Sequence, residues 1–441
     1  MTNLEVARAM MATSLGFHII FAAAGIALPL MMVVAEWRYH TTGAQVYLTI
    51  ARRWARAAAI LFAIGAVSGT VLSFELGLLW PRFMGWAGSI IGMPFSLEGV
   101  AFFAEAIFLG IYMYGWDRLT PRAHRAAGMM VAISGIFSAV FILSANAWMN
   151  TPAGFRMVGG EPVDIHPIVA MFNKAAFTEI LHMVVAAYAA IGFLVAGIHA
   201  SQLIRDCDVD FHRRGLAIAL LIGGVSAVVQ PIIGDMAARE VVQDQPLKLA
   251  AFESLFKTQR DAPLAIGGFP DQTAERLEFG IEIPYLLSIL AYHDPHALVR
   301  GLDSFPREDW PEPLAAVHFA FQIMVGIGTA MAGLALWAGW LWWRRRTVFD
   351  CKWFLLALVA ATPLGLIAIE SGWVVTEVGR QPWIIYGVMR TAAAVTPMPD
   401  LRFAFAIFLT LYLILALMVL GTIRWMIATG AEIPTLATEQ G

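Results

Sequence analysis

An all-α integral membrane protein with about nine transmembrane helices and one long outer-side loop is predicted by three observations. The 441 residues are 59% hydrophobic and only 14% charged, with a mean hydropathy of +0.70. An average soluble domain carries roughly 25% charge, and the deficit here runs along the whole chain. Apolar stretches long enough to cross a bilayer, about 20 residues at 1.5 Å each, recur from one end to the other. The short connections between them alternate between Arg-rich and Arg-poor.

The spans fall at roughly 14–36, 55–76, 93–115, 126–149, 177–202, 215–235, 315–343, 353–376 and 402–428. The first is preceded by one Arg and is longer than a signal-peptide core, so it reads as a retained helix. The rich connections hold Arg38, Arg52, Arg53 and Arg56; Arg118, Arg122 and Arg125; Arg205, Arg213 and Arg214; and Arg344, Arg345, Arg346 and Lys352. These are predicted to be cytoplasmic, which puts the N-terminus outside and the C-terminus inside. The chain divides into helices 1–6 over 1–235, an outer loop over 236–314, and helices 7–9 over 315–441. A structureless loop of that length is far beyond ordinary connections, so it is expected to be functional.

The net charge of −3 and the lack of a basic run argue against nucleic-acid binding. The only cysteines, Cys207 and Cys351, lie beside the basic connections and are expected to be free thiols. No CxxC or Cys/His pattern points to zinc or an iron–sulfur cluster.

Ionisable residues at membrane depth cost about 2.5–3.5 kcal/mol each on insertion scales, so each needs a reason. His18, Glu98, Glu105, His182 and Met324 lie in the outer half of inward-running helices, and Glu377 lies at the outer end of an outward-running one. Taken singly, a His is more often a satisfied packing residue and a Met core filler. Gathered in one layer, His, Met and Glu from separate helices suit axial ligation of haem iron, and unpaired carboxylates suit a proton relay. The residues by themselves leave two further readings open: a proton-coupled secondary transporter built on Glu98, Glu105 and His18, and a haem-bearing sensor or electron carrier. No inverted repeat supports the transporter.

At these residues the chain resembles subunit I of the cytochrome bd-type quinol oxidases over essentially its whole length. The resemblance is carried by LEGVAFFAE (Leu97–Glu105), GWDRL (Gly115–Leu119), SANAWMN (Ser144–Asn150), KLAAFE (Lys248–Glu253) and WVVTEVGRQPW (Trp373–Trp383). It implies that His182 and Met324 hold a low-spin haem b. His18 and Glu377 would each hold one of the two remaining haems, a high-spin haem b and a third haem that is d or b. Trp373 matches an aromatic between haems, and Glu98, Glu105 and Ser138 match a proton path. Lys248 and Glu253 match the quinol contacts of the outer loop, the Q loop. Arg8 and Arg380 match cations beside haem propionates.

The resemblance further implies quinol and O2 as substrates, a second membrane subunit, a small single-span subunit, and a bacterial inner membrane location. Two features resemble the cyanide-insensitive branch: a short Q loop, and Gln322 where most of the family has Arg. Lying two residues before Met324, about 200° around the helix, Gln322 is expected to point away from the iron and toward the space between haems. Lys248 and Glu253 are five residues apart, about 140° on an ideal helix, so a loop or broken helix is expected there.

Overall fold

The computed structural model describes residues 2–429. Among them are nine helical segments long and apolar enough to cross a membrane. Helices α1 (Asn3–Thr42), α2 (Gln45–Leu79), α3 (Pro81–Tyr114) and α4 (Pro121–Asn150) come first. A small hairpin of β1 (Arg156–Val158) and β2 (Glu161–Val163), then α5 (Pro167–Met171), lead to α6 (Ala176–Ile204) and α7 (Val209–Asp244). Helix α7 continues to Asp244, so the outer loop begins nine residues later than the expected 236.

Local chemistry sets several helix boundaries. Thr2 and Glu5 form a reciprocal capping box at the start of α1. Thr120 caps α4, whose first residue is Pro121, a position where the missing N–H costs nothing. Gly43 ends α1 in the left-handed region (φ 70°), and its N–H bonds the Tyr39 carbonyl. Helices α6 and α7 cross closely at Gly192 and Gly223, where a Cβ on either would fall within 3 Å of the other's backbone.

The outer loop is folded, which corrects the expectation of a structureless segment. It contains α8 (Pro246–Glu253), the antiparallel pair β3 (Leu264–Ile266) with β6 (Ile281–Ile283), and the pair β4 (Phe269–Asp271) with β5 (Arg276–Glu278). Helix α9 (Leu286–Tyr292) and two 3₁₀ turns follow. Leu247, Phe252, Phe256, Leu287, Leu302 and Trp310 form a core of their own against Leu314 and Val317, which open α10 (Leu314–Arg345). Lys248 and Glu253 share one short continuous helix, contrary to the broken segment expected. The 140° between them is accommodated because α8 is buried all round and the two side chains meet different surroundings.

The eighth span is built from α11 (Lys352–Ala361) and α12 (Leu364–Val378), separated at Thr362–Pro363. Proline lacks an N–H and clashes with the preceding turn, so the break falls where the sequence carries it. The hairpin of β7 (Trp383–Ile385) and β8 (Met389–Arg390), the turn α13 (Thr391–Ala394) and α14 (Leu401–Thr429) complete the described chain. The main core joins α1, α2, α6, α7, α10, α11 and α12, with α1 the most enclosed of the spans.

Candidate functional site

Three of the four candidate ligands face a glycine on a neighbouring helix, which leaves room beside them. His18 on α1 lies against Gly69 of α2, where an added Cβ would come within 2.9 Å of its ring. Ser68 Oγ is 3.1 Å from His18 Nδ1 and fixes the ring, as an outer-shell partner of a metal-binding His does. His182 on α6 lies against Gly234 of α7, and Met324 Sδ on α10 lies against Gly372 of α12, where a Cβ would sit 3.1 Å from the sulfur. The Gln230 amide nitrogen is 3.3 Å from both ring nitrogens of His182, while its Oε1 is buried without a partner. Trp373, next to Gly372, is partly buried against the main core.

Glu377, at the outer end of α12, accepts hydrogen bonds from Asn146 Nδ2 at 2.6 Å and from Arg380 Nη2. Arg380 is only 2% exposed, yet its Nε and Nη1 have no protein partner. A buried guanidinium with two unused donors beside a carboxylate fits a second anion, and a haem propionate is of that kind. Among the described residues no three His, Cys, Asp or Glu gather as a metal site. Ligands supplied singly or in pairs match haem, whose porphyrin provides the other iron donors. Arg8 stands apart from this group: its Nη2 donates to the Glu312 carbonyl at 3.3 Å, just before α10.

The loop brings Lys248 to this same region and buries Glu253 separately. Lys248 is 4% exposed, and its ammonium donates to Asn150 Oδ1 at 2.8 Å. Burial and the neighbouring Arg380 guanidinium push Lys248 down from its ordinary value, against the pull of Glu179 and Glu377. Glu253 is 5% exposed with Oε2 unpartnered, and burial pushes it up to about 8. His318 of α10 holds the loop from below, with its ring nitrogens 2.9 Å from the Phe252 carbonyl and 3.2 Å from that of Gly267.

The carboxylates expected on a proton path occupy one seam. Ser138 Oγ of α4 donates to Glu98 Oε1 of α3 at 3.2 Å. Glu105, 6% exposed, fits between Gly25 of α1 and Gly135 of α4, whose Cβ atoms would stand 3.5 and 3.4 Å from its Oε1.

Gln322 departs from its expected direction. Its Oε1 accepts from the Gly267 N–H at 3.2 Å and its Nε2 donates to the Ala265 carbonyl at 3.0 Å. The amide is therefore tied to the outer-loop strand. An amide satisfies an unpaired strand N–H and C=O together, which an Arg cannot, since it only donates. If Met324 holds a low-spin haem, as the resemblance implies, Gln322→Arg is expected to raise its potential by tens of millivolts, because a nearby cation favours the reduced form. It should also weaken quinol binding by releasing the strand. Redox titration with quinol kinetics checks both; a shifted potential with unchanged KM separates the charge effect from the tether.

Sequence reasoning did not assign roles to Asn146, Asn150, Ser68, Gln230 or His318. The available signal was polar side chains in otherwise apolar helices, one turn apart in the case of Asn146 and Asn150.

The model of the family described as cytochrome bd terminal oxidase subunit I matches residues 6–431. The cytochrome bd ubiquinol oxidase subunit 1 of Bacillus subtilis (strain 168) is 33% identical over 449 residues, covering 98% of this chain and 95% of that one. The cytochrome bd-II ubiquinol oxidase subunit 1 of Escherichia coli (strain K12) is 28% identical over 486 residues, covering 93% and 94%. The solved structure of bd oxidase from Geobacillus thermodenitrificans is similar with a TM-score of 0.89 and 38% identity, over 96% of this chain and 98% of that one.

Proposed function

The chain belongs to the cytochrome bd terminal oxidase subunit I family, and from that premise we propose a residue-level assignment of its chemistry. The chain is a subunit of a terminal quinol oxidase, a quinol:oxygen oxidoreductase of the membrane. Nothing in this membership favours the transporter reading.

In our reading His182 and Met324 hold a low-spin haem b, while His18 and Glu377 each hold one of two further haems, a high-spin b and a third that is d or b. Arg380 and Arg8 pair propionates. When bound, these groups supply the electron transfer and oxygen chemistry. The protein's own part is to bind quinol, accept its protons and deliver others. Lys248 hydrogen-bonds the quinol head group, and Glu253 accepts a quinol proton on the outer side. Glu98, Glu105 and Ser138 hold protons arriving from the cytoplasm. Trp373 fills the space between the haem sites.

The N-terminus is periplasmic and the C-terminus cytoplasmic in this scheme, and subunit II and a small single-span subunit complete the assembly. Gln322 and the short loop support the cyanide-insensitive branch.

The observation that carries the proposal is Arg380, buried, bound to Glu377 and with two donors unused. The purified complex is expected to show haem absorption and quinol-dependent oxygen uptake. A colourless protein, or a coloured one inert toward quinol and oxygen, overturns the assignment.

A proton acceptor must be ionised before it can act. With Glu253 pushed up to about 8, it is mostly protonated at pH 7. Quinol oxidation should therefore rise as pH increases through about 8, and Glu253→Gln should lower the rate and remove that rise while haem spectra stay intact. Equal losses of haem and activity would instead point to a folding role.

A further inference from the structure

The segment Ser144–Asn150 ends α4 with two asparagines one turn apart, Asn146 and Asn150, and the scheme above uses neither. Asn150 is 1% exposed. Its Oδ1 accepts from Lys248 Nζ at 2.8 Å, and its Nδ2 lies 3.4 Å from Glu179 Oε1. The same Nδ2 reaches back to Asn146, 3.3 Å from its carbonyl oxygen and 3.4 Å from its Oδ1. Asn146 Nδ2 in turn donates to Glu377 Oε1 at 2.6 Å, and the other Glu377 oxygen accepts from Arg380. A continuous set of contacts thus runs from the loop lysine to the carboxylate at the end of α12.

The residue type matters. A buried ammonium needs an acceptor, and a buried carboxylate needs donors. The amide side chain offers both without adding a charge between two charged ends. Leu or Ala at position 150 would remove the acceptor for Lys248, and at position 146 the donor to Glu377 Oε1. Asp would place a third carboxylate beside Glu179 and Glu377.

We propose that Asn150 and Asn146 are positioning residues, a neutral amide bridge that holds Lys248 of the outer loop and Glu377 in one hydrogen-bonded unit, so that a change at one end is felt at the other. The bridge rests on the quinol role given above to Lys248 and the haem-ligand role given to Glu377.

The test uses the assembled, haem-loaded oxidase and a short-chain quinol. N150A removes the acceptor for Lys248 and the link to Asn146. It is expected to raise KM about tenfold or more, with a smaller change in kcat, because a hydrogen bond to a charged group is lost. The N150A K248A double variant should be no worse than K248A alone, since both interrupt one connection. The absorption band of the haem at Glu377 should shift in N150A and K248A alike, although neither residue touches Glu377. N150Q, which keeps the amide, should recover part of the KM.

An unchanged KM in N150A, additive losses in the double variant, or a band insensitive to both changes overturns the bridge. If K248A leaves KM unaltered while both variants still shift the band, the quinol reading fails and the bridge stands. If N150A does not assemble, N150D keeps the acceptor for Lys248 and loses the donor toward Asn146. It should hold KM within about twofold and still shift the band; a normal band there overturns the bridge.

Discussion

Met324→Leu is expected to abolish the low-spin haem spectrum and, with it, quinol-dependent oxygen uptake. The substitution nearly conserves volume, so packing should survive. Gly372 supports that expectation, because it leaves the end of the Met324 side chain free of any side chain from α12 at that level. What is lost is the thioether sulfur, the group that would hold the haem iron together with His182 in the proposed assignment. His182→Ala should have the same spectral result from the other side, leaving the Gln230 amide without its ring partner. An optical spectrum of each purified variant decides the matter. A normal low-spin signal in Met324→Leu sinks the ligand assignment, whatever the activity.

Glu105→Ala is expected to slow oxygen reduction by about 10²-fold or more, the scale of losing a positioned proton donor. Glu98 and Glu105 share a face of α3, about 10 Å apart along its axis, so a proton moving between them in the proposed path would need intervening water or hydroxyl groups. Ser138 of α4 supplies a hydroxyl at the Glu98 end. Glu105 is buried, which makes Ala a cavity-forming change as well. Glu98→Gln is the cleaner probe, since it keeps the shape and the acceptor for Ser138 while removing the titrating proton. Oxygen uptake from pH 6 to 8 is expected to fall and flatten in Glu98→Gln. Wild-type rates throughout that range would mean that the carboxylate is structural.

Much of this molecule is written locally. Hydropathy locates nine spans because each must bury its backbone polar groups within itself, and a helix does so independently of its neighbours. The break at Pro363 and the helix starts at Pro121 and Thr2 are equally local. The types of side chain that could bind iron, carry protons or meet a quinol are also visible, because polar groups stand out in an apolar helix at a known cost.

The tertiary structure alone decided how those groups meet. The outer loop reads as polar connection, yet it folds on a small core of its own and buries Lys248 and Glu253 against the helices. Helical period aims Gln322 away from Met324 without naming what stands there. Its partners are the Gly267 and Ala265 backbone, 55 and 57 residues away in sequence. Asn150 meets Lys248 across 98 residues, and Asn146 meets Glu377 across 231. Periodicity fixes which way a side chain leaves its own helix, and it carries no information about which other helix or loop stands there. That is set by how closely the helices pack and by which buried donors and acceptors must satisfy one another once water is gone.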